Sequence, residues 1–114
     1  MAADIENTKT VRTWLAGLED QSGVSREEGL QRVAVLTEFC TLVEKEPDQI
    51  IDECLREVDG GKKIRAKGRR IYAEKITEFE SHIDGGAAEK RQKGNCIRSF
   101  LIHNGVLLQT SPLA

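Results

Sequence analysis

Apolar residues recur along this chain at helical spacing almost throughout. Val11, Trp14, Leu15 and Leu18 fall at i, i+3, i+4 and i+7, one stripe of a helix. The spacing predicts a first helix from about Thr8 to Glu19, capped by Asn7 or Thr8 and broken by Gln21-Ser22-Gly23. A second helix opens at Ser25-Arg26-Glu27-Glu28, where a serine followed three residues on by a glutamate makes a capping box. Leu30, Val33, Leu36, Phe39 or Cys40, and Val43 continue its stripe to about Glu44. Pro47 ends that run and suits the first turn of the next, with Asp48 placed well for the helix dipole. Ile50, Ile51, Cys54, Leu55 and Val58 are the expected buried stripe of this short third helix, which Asp59-Gly60-Gly61 stops.

Lys62-Lys63-Ile64-Arg65-Ala66-Lys67-Gly68-Arg69-Arg70 follows and reads equally as a loop or as the ragged start of a helix. Tyr72, Ile76, Phe79 and Ile83 then predict a helix from about Arg69 to Ile83, stopped by Asp84-Gly85-Gly86. A last helix runs from near Ala87 to His103-Asn104-Gly105, with Ile97, Phe100 and Leu101 as its apolar face. Arg91, Asn95 and Arg98 share the other side, within about 60° of one another at 100° per residue. No segment alternates with period two, and Asn104-Gly105 and Asp84-Gly85 follow helical runs rather than joining strands. The expectation is an all-α fold without strands. Residues 106–114 are apolar and uncharged and read as a tail, the start of a linker.

With 114 residues, the chain has room for one domain and a modest core. Its five aromatics are too few for an exposed stack on single-stranded nucleic acid. Apolar runs such as Val33 to Leu36 are far too short to cross a bilayer. Met1 is followed by Asp4 and Glu6, with no basic start and no apolar signal core, so the cytoplasm is the expected compartment and no membrane partner is expected. Cys40, Cys54 and Cys96 form no CxxC pair and share no ligand motif with His82 or His103. A reducing compartment fits, and no metal and no cofactor is expected.

Charge adds more. Residues 1–59 carry 6 basic and 14 acidic side chains, a balance of −8. Residues 60–98 carry 11 and 5, a balance of +6. This asymmetry suggests an anionic partner for the second half. From composition alone the plainer reading leads: mutual attraction of the two halves, or solvated surface.

Catalytic motifs are missing: no Gly-x-Ser-x-Gly, P-loop or HExxH occurs. Gly60-Gly61 and Gly85-Gly86 follow no strand and read as helix stops. Glu74 and Glu78 are a like-charge i, i+4 pair on a solvent face. His82 and His103 stand near helix ends, where terminal carbonyls attract them. Cys40 and Cys54 lie on apolar stripes as small core residues; Cys96 is less clearly buried, and Lys93 and Arg98 near it in sequence make a reactive thiol only the minor alternative there.

The basic groups remain. The first comprises Lys62, Lys63, Arg65, Lys67, Arg69 and Arg70, and the second Lys90, Arg91, Lys93 and Arg98 with Asn95. Arginine forks onto guanine and asparagine onto adenine in the major groove. Cations in the first turn of a helix oppose its dipole, a cost that an arriving phosphate removes.

The order of these pieces resembles the N-terminal core-binding domain of tyrosine recombinases, the phage-integrase family. Thr10-Val11-Arg12-Thr13-Trp14-Leu15 is similar to the family's opening helix. Ser22-Gly23-Val24-Ser25 followed by Leu36-Thr37-Glu38-Phe39 is similar to its second helix. Glu46-Pro47-Asp48-Gln49-Ile50-Ile51 resembles its proline-opened short helix, and Ile97-Arg98-Ser99-Phe100-Leu101-Ile102-His103-Asn104-Gly105 its closing helix and turn. The resemblance implies a SAM-like orthogonal bundle of four to five helices over residues 1–105. It also implies that the second and last helices face the major groove, and that the domain forms half of a clamp on duplex DNA. A separate catalytic domain of the same parent chain would supply the nucleophilic tyrosine and the phosphate-stabilising residues. None of that domain's motifs is here, so no recombinase activity is expected of this stretch alone. The implied partners are double-stranded DNA, that catalytic domain and other recombinase protomers on the DNA, in a prokaryotic cytoplasm. Glu28 and Arg32 stand where the family commonly has a threonine and an aromatic. That leaves Ser25 and Arg26 as minor candidates on the second helix and moves the weight to the two basic groups. The competing reading is a helical protein–protein interaction module, for which Val106-Leu107-Leu108 is the best feature.

Overall fold

The computed structural model describes residues 8–106. The proposed cap Asn7, the acidic start and residues 107–114 lie outside the described residues. Five helices and one two-stranded sheet follow in the order α1 (Lys9–Ser22), α2 (Arg26–Val43), α3 (Pro47–Cys54), β1 (Leu55–Val58), β2 (Gly61–Ile64), α4 (Ala66–His82) and α5 (Ala87–His103).

The helix ends follow local chemistry. Gly23 takes φ 63° after α1, and the Val24 amide bonds back to the Leu18 carbonyl at 3.1 Å, while Val24 itself is buried. That is the left-handed stop that glycine adopts without strain. At the end of α2 the same turn is made by Glu44, φ 57°, with Lys45 bonding to the Cys40 carbonyl. Ser25 caps α2 by accepting from the Glu28 amide. Pro47 opens α3, and the Gln49 side chain accepts from the Glu46 amide at 2.9 Å. Asp48 reaches another element. Its carboxylate accepts from the Thr10 amide at 3.1 Å and from the Thr10 hydroxyl, and so fills the role of a cap for α1. Asn104 closes the same corner by donating to the carbonyls of Thr10 and Phe100.

The predicted stripes meet in one core. Trp14, Leu36, Phe39, Ile50, Ile76, Ile97, Phe100 and Leu101 are all fully buried. Trp14 meets Phe100, and Phe39 meets Phe79, edge to face at 5.5 Å between ring centroids. The indole N–H of Trp14 donates to Ser99. Val106 packs into this core, so the packed unit extends at least that far.

Four expectations are corrected. The third helix ends at Cys54, and Leu55–Val58 is a strand pairing antiparallel with Gly61–Ile64. The expected helical bundle of five helices forms, and one small β-hairpin is added to it. Val58 is more than a third exposed rather than buried. Leu30 is exposed too, whereas Gly29 beside it is buried close to Leu15. The helix after the hairpin begins at Ala66, not Arg69.

The hairpin turns on Asp59-Gly60. Gly60, at φ 87°, takes the left-handed turn position. At the base, Leu55 pairs with Ile64 and is buried against the bundle, and the Arg65 amide bonds the Cys54 carbonyl. A two-stranded ribbon is marginal alone; these base contacts hold it to the bundle. Beyond them, Arg56–Val58 and Gly61–Lys63 are exposed.

Candidate nucleic-acid interface

The first basic group is built by the hairpin and the helix that follows it. Lys62 and Lys63 lie on β2, Arg65 is the N-cap of α4, and Lys67, Arg69 and Arg70 occupy its first two turns. The first turn of α4 holds no acidic residue, and Arg65 makes no side-chain cap. Lysine and arginine therefore stand at the positive end of the helix dipole. Gly68 sets the position of this corner. It is buried, and a Cβ there would overlap the Glu53 carbonyl at the end of α3. Arg65 Nε donates to the Leu55 carbonyl at 3.4 Å, and Arg69 is half-buried. Lys62, Lys63, Lys67 and Arg70 are exposed, and none forms an ion pair among the described residues.

Arg56 belongs with this group, although sequence reading placed it in a helix of the acidic half. The register sets Arg56 opposite Lys63 and Glu57 opposite Lys62. Like charges directly across a ladder destabilise it. The available signal was Asp59-Gly60 between Leu55-Arg56-Glu57-Val58 and Lys62-Lys63-Ile64, a short run that a helical stripe also fits.

The second group, on α5, is largely engaged within the protein. The Arg98 guanidinium forks onto the Glu80 carboxylate at 2.9 and 3.3 Å, and also donates to Asn95 Oδ1 at 3.0 Å. Gly94 gives the Glu80 side chain room, for a Cβ there would meet its carboxylate. Lys93 faces Glu38 of α2 at 3.8 Å. Lys90 and Arg91 stand in the first turns of α5 with acidic Glu89 beside them. Between α2 and α5 lies an open cleft of about 880 Å³. Its lining mixes Arg32, Arg91 and Lys93 with Glu28 and Glu89. Ser25 and Arg26 are exposed at the start of α2, followed at once by Glu27 and Glu28.

The two groups do not meet. The short 83–86 turn folds α5 back along α4, so that Glu80 near the end of α4 reaches Arg98. Arg70 precedes Glu80 by ten residues, or about 15 Å of helix at 1.5 Å per residue. Lys62–Arg70 and Lys90–Arg91 thus occupy opposite ends of the α4–α5 pair.

The thiols of Cys40 and Cys54 are pushed up to about 12 by burial, with Glu46 and Glu53 adding to the effect. Burial also raises Cys96, against the pull of Arg32 and Lys93. A thiol held protonated is a poor nucleophile. Tyr72 is raised by burial and by its hydrogen bond to Glu53. His103 packs against Gly17, and His82 stands 4.0 Å from Glu78, which also faces Lys75. No three metal-ligating side chains converge among the described residues. Trp14, Phe39, Tyr72, Phe79 and Phe100 are all buried, which leaves no stacking platform for unpaired bases. No helix among the described residues is long and apolar enough to cross a membrane.

Comparison with family models, with curated proteins and with solved structures returns no match.

Proposed function

We propose that this chain is a duplex-DNA-binding module of the tyrosine-recombinase type: a SAM-like core-binding domain that forms half of a clamp during site-specific recombination in a prokaryotic cytoplasm. Catalysis would belong to a separate domain of the parent chain. The observation that carries this reading is the exposed cation cluster from the hairpin into α4, in which Lys62, Lys63, Lys67 and Arg70 have no carboxylate partner among the described residues. Cations gathered at a helix N-terminus repel one another and the dipole, and a phosphate backbone relieves both. The buried aromatics favour a paired over an unpaired nucleic acid.

The test is an amide-shift titration of the whole chain with a short generic duplex, at low and at high salt. Shifts concentrated in 56–70 and lost at high salt are expected, because each phosphate contact contributes about −0.9 to the slope of log K against log salt. Silence at near-millimolar duplex would sink DNA binding by this domain alone. The reading as a protein–protein interaction module would then lead. Of the apolar segment on which it rests, Val106 is buried in the core, and Leu107 and Leu108 lie outside the described residues.

A further inference from the structure

The hairpin has a shape and a charge that the helices lack. Residues 55–70 hold seven basic and two acidic side chains. Within the ribbon, alternation divides these between two faces. Leu55, Glu57, Lys62 and Ile64 share one, with Leu55 packed into the core. Arg56, Val58, Gly61 and Lys63 share the other, and all four are exposed. That outward face therefore offers two cations directly across the ladder from each other and one apolar side chain at the tip.

We infer that the hairpin, rather than α2 or α5, is the element that enters the major groove of duplex DNA. The inference rests on the DNA-binding reading above and names its reading head. Four residues per strand at about 3.3 Å each make a ribbon some 13 Å long. The major groove of B-DNA is about 12 Å wide and admits a two-stranded ribbon, whereas the minor groove, at about 6 Å, does not. The chemistry of the outward face matches base edges. Arg56 and Lys63 suit guanine O6 and N7, and Val58 suits a thymine methyl. With guanine acceptors between them, Arg56 and Lys63 are no longer an unrelieved like-charge pair. Lys67 and Arg70, at the start of α4, then meet the phosphates flanking the groove. The helices are less suited. Arg98 and Lys93 already face Glu80 and Glu38, and α2 opens with Glu27 and Glu28. A-form RNA is excluded by the same argument, because its deep, narrow major groove does not admit a ribbon.

The test is fluorescence anisotropy of the whole chain with a short labelled DNA duplex across a salt series, repeated with an RNA duplex of the same sequence. Three double variants, at exposed positions except for half-buried Lys90, are compared with wild type. Arg56→Ala/Lys63→Ala is expected to weaken DNA binding about tenfold or more with little change in salt slope, as base contacts do. Lys67→Ala/Arg70→Ala is expected to lower the salt slope by about 2, as two lost phosphate contacts do. Lys90→Ala/Arg91→Ala is expected to stay within about threefold of wild type, and the RNA duplex to bind at least about tenfold more weakly than DNA. Full affinity in the hairpin variant, a large loss in the α5 variant, or equal binding of RNA would overturn the hairpin's role while leaving DNA binding intact. No binding of DNA by the wild type would remove the underlying reading itself.

Discussion

Replacing Gly68 by alanine sets two known effects against each other, and the structure decides the sign. Alanine is the better helix former, worth up to about 1 kcal/mol over glycine. Yet a Cβ at position 68 would overlap the Glu53 carbonyl oxygen and fall 2.8 Å from its carbon and 3.3 Å from the Cys54 Cα. All three are backbone atoms at the end of α3, so no side chain can swing aside. Restoring ordinary contact requires α4 to move off α3 by about an ångström, in a core packed like a crystal. Overpacking of this kind costs about 1–3 kcal/mol. Because the clash is with backbone atoms, the cost lies at the upper end, and the net expectation is a loss of about 2 kcal/mol, or a fall in Tm of about 4–8 °C per kcal/mol. Urea unfolding followed by circular dichroism reads it as a lower midpoint at unchanged m. Gly29→Ala is the control, since its Cβ would meet only a terminal methyl of Leu15, at 2.9 Å. That methyl can rotate away, and the variant is expected within about 1 kcal/mol of wild type. Gly68→Ala as stable as wild type, or more stable than Gly29→Ala, would refute the close approach of α3 and α4.

Three other outcomes follow from separate features. Glu44→Gly is expected to raise stability by about 0.5–1 kcal/mol in urea unfolding, because Glu44 holds φ 57° at the end of α2 and glycine carries no Cβ penalty there. Asp48→Ala is expected to lower stability by about 1–3 kcal/mol and to speed hydrogen exchange at the start of α1, since the Thr10 amide and hydroxyl lose their acceptor. The thiols of Cys40 and Cys54, raised from an ordinary value near 9 to about 12, make the folded state bind more protons than the unfolded one in that range. Their contribution is whole below pH 9 and falls as pH rises from 9 toward 12, by about 1.4 kcal/mol per pH unit for each thiol. Urea midpoints between pH 8 and 10 check this, and a Cys40→Val variant with an undiminished slope would contradict it.

Helices α1, α2, α4 and α5 were legible because their signals are local. Val11, Trp14 and Leu18 recur within two turns, Ser25 caps three residues ahead, and Gly23 and Gly105 stop the chain where they stand. The core residues Trp14, Phe39, Ile76 and Phe100 could be named from the same periodicity. Leu55 was not legible in this way, since it continues the stripe of Ile51 as well as it begins a strand. What decides is its pairing with Ile64, nine residues on, together with the bond from the Arg65 amide to the Cys54 carbonyl.

The fate of each charge lay further from local reach. Lys62 and Arg98 look alike in a string of letters, both within a basic stretch. Glu80, eighteen residues before Arg98, turns one into a partner of the bundle, while Lys62 stays exposed beyond the base of the hairpin. Arg56 was counted with the acidic half until the Asp59-Gly60 turn set it against Lys63. Apolar spacing and caps act over one or two turns, so they specify where helices begin, end and face. Electrostatic pairing acts through space and depends on which helices pack together, so only the tertiary arrangement separates a cation that holds the fold from one left for a partner.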